Sequence, residues 1–530
     1  MVKTKITPRE IYQRCEEFGF KNSMQMLKEI IDVEKDTSNR RKAVKYFALV
    51  SINSTSLKDE CFKTLETLLV TEENIEMKCE AAKALGSLQY EKCLKPLNWM
   101  LDQKPVNSQI KLSVLKAIQN IKFDEPEIKL FINELDSEYP SIKDFVTIQL
   151  LSLNPDILIN LLLNSLKSKK ISNNHKIQLI KLIGYELSSI NVSFEEVSFL
   201  KIKYPEILNN LIEYKSVLLE VITQILKEED SDLMDSAITI LKILGHEIEK
   251  DITKLLLIDD FIVKKNAVIL CGKLKYKTAV DSLITNLDNI YNEVSIAAIE
   301  ALGEIGDLTA VPELLDVLDI EDISFEYTDL DMKLYILDAI KKIYLNNRNS
   351  SYDHLYSYLK RDNNTIRESI AFILGEIGNE EFVKPLVDLL QIRNLDVKKN
   401  SIIALGKIGI LKPMEHLLKI LSDDETYWLI KKVAVDAIYN IFQNNWYRLK
   451  DDQSNAKRLI NKNMAILNEH LGSNDEEHFK VKLSLIKLLE TYGEKTALTV
   501  LMKRVNDFHR TVRIHASNAI KKIEERLELG

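Results

Sequence analysis

Residues 294–306 read VSIAAIEALGEIG, and this segment decides the fold. Similar segments stand at 366–378 (IRESIAFILGEIG), 397–409 (VKKNSIIALGKIG) and 77–88 (MKCEAAKALGSL). In each one, apolar residues recur at i, i+3 or i+4, and i+7, which is the spacing of an amphipathic α-helix. A helical segment that returns at a regular interval is typical of proteins built from stacked repeats.

The repeat extends over most of the 530 residues. The seventh position after the leading apolar residue falls at Ala84, Ala117, Gln149, Leu182, Ile240, Leu270, Ala301, Ala339, Ile373, Ala404, Ala437, Leu488 and Ala519. Two gaps are long, between Leu182 and Ile240 and between Ala437 and Leu488. We therefore predict an all-α fold, an α-solenoid of about 14–15 helix pairs over residues 41–530, with a helical N-terminal cap at 1–40. An irregular stretch is expected near 185–232 and an insertion near 442–478.

A second helix is predicted in each repeat. After Gly306 the chain continues DLTAVPELLDVLD, and after Gly378 it continues NEEFVKPLVDLL. Glycine in a left-handed conformation commonly ends a helix, and Asp307 and Asn379 are suitable residues to cap the next one.

Three glycines lie inside predicted first helices, at Gly303, Gly375 and Gly406. A helical glycine costs about 1 kcal/mol relative to alanine. We expect the close approach of a neighbouring helix to compensate for this cost.

The pattern resembles the HEAT repeat, in the subgroup with ALGEIG-like cores found in phycobilin-lyase-type HEAT proteins. The resemblance covers residues 40–530 and implies an α-solenoid whose second helices line the concave face. Because the motif residues are packing residues, the resemblance defines the fold much better than the function.

One aligned column is basic. The residue after the leading apolar position is Lys or Arg in eleven of thirteen repeats, where chance predicts about two. These residues are Lys78, Lys111, Lys143, Lys176, Lys264, Lys333, Arg367, Lys398, Lys431, Lys482 and Arg513. Two interpretations are open: a structural ladder that bridges to acids or carbonyls of neighbouring repeats, or a nucleic-acid-binding stripe.

Charge is unevenly distributed along the chain. Residues 278–332 contain fourteen acids and no Lys or Arg, so this segment has a net charge of −14 and the rest of the chain +6, for a total of −8. The segment could be a solubilising surface or a docking surface for a basic partner. A calcium loop at 319–331 is a third alternative, but it lacks the mid-loop glycine of an EF-hand.

The HEAT resemblance places several of these residues on the concave face. We predict that a partner binds at Glu313, Asp316, Asp319, Glu321, Asp322, Trp99, Asp388 and Lys419. Trp99 could be an exposed interface residue, since tryptophan is common at binding hot spots, or it could pack against an adjacent helix.

No motif indicates catalysis. The chain has no GxSxG, P-loop or dinucleotide-binding glycine pattern, and its single His-Glu pair, His246–Glu247, falls short of the several pairs with which deoxyhypusine hydroxylase binds iron. The acidic centre argues against a long nucleic-acid track. We expect no catalytic residue, no metal and no organic cofactor.

We therefore expect a protein-binding scaffold or adaptor that is monomeric and takes a protein partner, with a basic surface, on its concave face. A phycobilin-lyase-like or chaperone-like factor is the alternative, and nucleic-acid binding the third. We predict a cytoplasmic location with no membrane anchor, because the N-terminus has no apolar signal region and the five cysteines (Cys15, Cys61, Cys79, Cys93, Cys271) show no disulfide framework or metal spacing.

Overall fold

The computed structural model describes residues 6–52, 55–103, 106–168, 171–189, 205–228, 230–319, 329–445, 455–473 and 477–528. Within these ranges the secondary structure is helical and contains no strand. The chain divides into two compact units, unit 1 (1–248) and unit 2 (249–530). The predicted all-α solenoid fold is therefore confirmed.

The described residues of unit 1 form fifteen α-helices that lie entirely within it. They are α1 (Pro8–Gln13), α2 (Cys15–Phe18), α3 (Phe20–Val33), α4 (Thr37–Ser51), α5 (Thr55–Thr71), α6 (Ile75–Ser87), α7 (Leu94–Asp102), α8 (Ser108–Ile121), α9 (Glu125–Asn133), α10 (Pro140–Leu151), α11 (Pro155–Leu166), α12 (Asn173–Ser189), α13 (Pro205–Glu213), α14 (Lys215–Ile225) and α15 (Ser231–Leu244). The unit boundary falls inside α16 (His246–Leu255).

In the part of unit 2 that the structure describes there are fifteen more α-helices. They are α17 (Phe261–Lys273), α18 (Val280–Ile284), α19 (Asn292–Ile305), α20 (Ala310–Asp319), α21 (Asp329–Asn346), α22 (Asp353–Leu359), α23 (Asn364–Ile377), α24 (Val383–Leu389), α25 (Leu395–Ile408), α26 (Met414–Ser422), α27 (Trp428–Asn445), α28 (Asn455–Ser473), α29 (Phe479–Tyr492), α30 (Lys495–Arg504) and α31 (Arg510–Glu528).

The helices form two layers in each unit. In unit 2 the odd-numbered first helices from α17 to α31 pack one on the next, and each second helix packs on the first helix that follows it, as α18 does on α19 and α20 on α21. In unit 1 the same arrangement runs through α4, α6, α8 and α10, and α12 packs directly on α15. The core lies between the layers, because one apolar face of every helix is turned inward.

Helix ends follow the predicted capping chemistry. Gly306, Gly378 and Gly409 adopt a left-handed conformation with φ of 73–76° and end α19, α23 and α25. The Asp307 carboxylate accepts the Thr309 backbone N–H at 3.0 Å. The Asn379 side chain accepts the backbone N–H of Glu381 at 3.1 Å and caps the 3₁₀ turn Glu380–Phe382 that leads into α24.

The glycines inside first helices face an alanine of the next repeat. A Cβ added to Gly303 would lie 2.8 Å from the Cα of Ala339, and the same holds within 0.1 Å for Gly272 against Ala301 and Gly375 against Ala404. Real Cβ atoms do not approach a backbone this closely. Glycine at this position therefore sets the separation of adjacent first helices, as the sequence predicted.

Two stretches depart from the regular repeat. Residues 205–225 form α13 and α14, of which α13 packs on α11 and α14 on α12, while Gly184 of α12 already faces Ser236 of α15. In 442–478, helix α28 packs against both α26 and α30 and so belongs to the second-helix layer. Both stretches thus supply second helices to the stack.

A buried ion-pair cluster joins the last repeats. The Lys482 ammonium is 3.0 Å from the Asp507 carboxylate, Arg504 is 3.4 Å from the same carboxylate, and all three side chains are at most 6% exposed. Arg504 also donates to the backbone carbonyl of Leu471 at 2.7 Å. Because these charges are removed from water, each depends on its partners for compensation.

We predict that Gly303→Ala destabilises unit 2 by about 1–3 kcal/mol, because the added methyl group collides with the backbone of α21. Helix propensity alone would give the opposite sign, a gain of about 1 kcal/mol. Gly472→Ala is the matched control, since a Cβ there would meet only the Val500 methyl groups at an ordinary 3.6 Å. Thermal unfolding followed by circular dichroism measures both, and a Gly303→Ala protein as stable as the wild type would contradict this account.

A second prediction concerns Asp507. Burial alone would raise the pKa of this carboxyl, but the His509 N–H, Lys482 and Arg504 outweigh burial and lower its pKa. The carboxylate therefore stabilises the fold above its unfolded pKa, and the stabilisation is lost as the pH falls through the lowered folded value. Asp507→Asn should cost about 3–5 kcal/mol at neutral pH, because it removes the carboxylate that the two buried cations Lys482 and Arg504 share.

The cost of Asp507→Asn should begin to shrink below about pH 4, the ordinary pKa of aspartate, and should keep falling until the pH is below the lowered pKa of the folded carboxyl. Glu17→Gln is the control, because its ion pair with Arg14 is exposed and worth at most about 1 kcal/mol. Urea unfolding at several pH values tests the prediction. A loss for Asp507→Asn that is as small as the control's would show that the cluster is not stabilising.

Candidate partner-binding surface

Helix α20 carries the centre of the predicted site. Val311, Leu314, Leu315 and Leu318 are buried and hold the helix against the core, and this places Glu313 on the exposed side. Asp316 follows one turn later, with 54% of its side chain exposed. The structure thus places these two predicted residues together on one solvent-facing strip of a second helix.

Asp316 and Asp319 are already engaged by the next repeat. Tyr358 donates a hydrogen bond to Asp316 at 2.6 Å, and Arg361 forms ion pairs with both carboxylates. Asn363 donates to Asp319 at 2.7 Å. Burial and the bond to Asp316 raise the pKa of Tyr358 to about 12, so it remains a donor at neutral pH. These contacts compensate part of the charge that the sequence suggested was available to a partner.

Other acids on the second helices keep their charge uncompensated. Glu313, Asp281 of α18, Asp353 of α22 and Asp388 of α24 are exposed, and among the described residues their carboxylates make no hydrogen bond or ion pair. Helices α18, α20 and α22 pack one on the next, so the first three of these acids belong to one contiguous layer. Lys419 of α26 is exposed farther along the same layer.

Sequence reasoning missed Asp353, because it lies outside the lysine-free segment 278–332. The repeat alignment could have identified Asp353, because this residue is the first of the second helix that follows α21. Glu321, Asp322 and most of the possible calcium loop at 319–331 lie outside the described residues.

Trp99, another predicted site residue, belongs to α7 of unit 1. Its side chain is 44% exposed. The ring is therefore accessible to a partner, although more than half of its surface is covered within unit 1.

The basic column acts as a structural ladder. Eight of its eleven residues contact an acid or a backbone carbonyl at a repeat junction: Lys78, Lys111, Lys176, Lys333, Arg367, Lys431, Lys482 and Arg513. For example, Lys111 lies 2.6 Å from Glu134. Bases used in this way are turned toward neighbouring repeats, which favours the ladder over the nucleic-acid stripe.

Other chemistry has little support in the described residues. Within them, no three His, Cys, Asp or Glu side chains converge to hold a metal ion. Burial raises the pKa of Cys61, Cys93 and Cys271 to about 12, so these thiols are protonated and poorly nucleophilic. None of the described helices has the length and apolar character to span a membrane.

Comparisons with known proteins agree with the architecture. Residues 352–438 match the model of HEAT repeats, and residues 296–319 match that of the PBS lyase HEAT-like repeat. No curated protein matches the chain.

Several solved structures are similar over nearly the whole chain. An importin beta structure is 11% identical with a TM-score of 0.41, covering 97% of this chain and 77% of that one. Yeast importin-beta is 11% identical with a TM-score of 0.36, covering 99% and 80%. A karyopherin bound to a SUMO protease is 13% identical with a TM-score of 0.41. This match covers 95% of this chain but only 57% of the karyopherin. From the repeated motif, the paired helices and the two family matches, we conclude that this chain contains HEAT repeats.

Proposed function

We propose that this protein is a binding scaffold that takes a basic segment of a protein partner on the second-helix surface of unit 2. The observation that carries the proposal is the set of exposed, uncompensated carboxylates of Asp281, Glu313, Asp353 and Asp388. Such a surface attracts a basic partner and accelerates its encounter more than it adds affinity. The concave placement of this surface, a monomeric state and a cytoplasmic location belong to the same proposal.

The alternatives find less support in the described residues. The match to the PBS lyase HEAT-like repeat covers residues 296–319, where Ala298, Ala301 and Leu302 are packing residues and carry no chemistry. Nucleic-acid binding needs lysine and arginine side chains that are free to contact phosphates. Most side chains of the basic column instead contact acids or carbonyls within the protein.

The test uses a lysine-rich peptide and two double variants. Glu313→Lys with Asp388→Lys should slow association several-fold at low salt and weaken its salt dependence, because two attracting charges become repelling. These positions are preferred to Asp316 and Asp319, whose reversal would also break the contacts to Arg361. Stopped-flow fluorescence of a labelled peptide gives the rate.

The control reverses two exposed acids of the first-helix layer, Glu300→Lys with Glu524→Lys, so that the net charge changes equally. We expect the control to keep most of the wild-type association rate. Equal slowing in both variants would mean that only the net charge matters, and the proposed surface would then be rejected.

A further inference from the structure

The glycine that brings first helices together is replaced in the last repeats of unit 2. Two positions after the aligned residues Ala437, Leu488 and Ala519 stand Tyr439, Glu490 and Lys521, where the earlier first helices α17, α19, α23 and α25 have Gly272, Gly303, Gly375 and Gly406 and α21 has Lys341. Where glycine is present, even a Cβ would collide with the next helix. Side chains as large as these cannot fit into that spacing, so α27, α29 and α31 cannot approach one another in the same way.

A groove of about 890 Å³ opens across these three helices. All three replacement residues line it, and Tyr439 contacts Tyr492 while Glu490 forms an ion pair with Lys522. The groove therefore lies where three successive first helices lack the glycine. Its volume lies within the range of known ligand sites, roughly 300–1,000 Å³.

The charges in the groove leave two cations uncompensated. Lys432 pairs with Asp436, Lys522 with Glu490 and Lys521 with Glu525. Two further lysines line the groove on α29, and both are exposed. The Lys480 ammonium lies 4.9 Å from the ring centroid of Trp428, and that of Lys487 lies 5.2 Å from the ring of Tyr439. Within the described residues, neither has a carboxylate partner.

We propose that this groove binds an extended acidic segment of a protein partner. Lys480 and Lys487 are seven residues apart on one helix, so they are separated by about 10 Å along its axis. Acidic residues three positions apart in an extended chain span a similar distance, at about 3.1–3.3 Å per residue. The rings of Trp428 and Tyr439 hold the two ammonium groups beside the groove, which reduces the entropy lost on binding.

The same features argue against other anions. A single phosphate cannot readily contact both ammonium groups, because they lie against two separate rings that are eleven residues apart on α27. A nucleic-acid strand would bring a continuous row of phosphates against the carboxylates of Asp436, Glu490 and Glu525, which also line the groove. A peptide can place its acids at the two lysines and neutral residues between them.

The groove is independent of the proposed function, since it lies on the first-helix layer and selects the opposite charge. It is tested with the full chain and a short labelled peptide that has glutamate at every third position among serine and alanine. Fluorescence anisotropy at low salt should show saturable binding. A peptide of the same composition with its glutamates grouped at one end should bind more weakly.

The variant Lys480→Gln with Lys487→Gln should lower the affinity for the spaced peptide at least about tenfold. Its matched control is Lys384→Gln with Lys412→Gln, which removes two exposed lysines of unit 2 outside the groove and should change the affinity less than about twofold. Circular dichroism verifies that both variants remain folded. Equal losses in both variants would overturn the proposal. Competition experiments can overturn the proposal in two further ways. Displacement of the labelled peptide by a single-stranded oligonucleotide at a lower concentration than unlabelled peptide requires would indicate a nucleic-acid site. Complete displacement by inorganic phosphate at low millimolar concentration would indicate a site for a single anion.

Discussion

The contact between a glycine of one first helix and an alanine of the next is the constraint on which the rest of unit 2 depends. It fixes the spacing of the first helices, because no side-chain atom separates the two backbones at Gly272, Gly303, Gly375 and Gly406. Once the first helices are fixed, the second helices and the connecting loops must meet at a constant interval. Contacts that repeat along the chain follow from this regularity.

Two sets of polar contacts use that regular interval. At one end of the first helices, the aligned bases reach an acid or carbonyl at a repeat junction, as Lys111 does with Glu134. At the other end, Asn347 and Asn445 each donate to the carbonyl of the glycine that caps the preceding first helix, at 2.8 and 2.7 Å. Neither bond could form if the spacing varied, since hydrogen bonds weaken steeply beyond about 3.2 Å.

Features that repeat with the sequence period could be predicted, whereas contacts made only once could not. The apolar period, the helical glycines and the basic column recur, so each copy supports the others. The contact of Arg361 with Asp316 and Asp319 spans 45 and 42 residues and has no counterpart to reveal it. The alignment placed Ile240 where the structure places Ser236 against Gly184, because a helix can shift by one turn and still bury an apolar face.

The sequence predicted the acidic surface of the second helices but not the groove on the first-helix layer. An acidic segment can be found by counting charged residues along the sequence. The groove, in contrast, lies where glycine is absent from one position of the repeat. A repeat that keeps glycine gains close packing and has no room for a ligand between its first helices. A repeat that replaces it with Tyr439 or Glu490 loses that close packing and exposes side chains in the space that opens. In this protein the groove between first helices therefore lies where the packing glycine is replaced by larger residues.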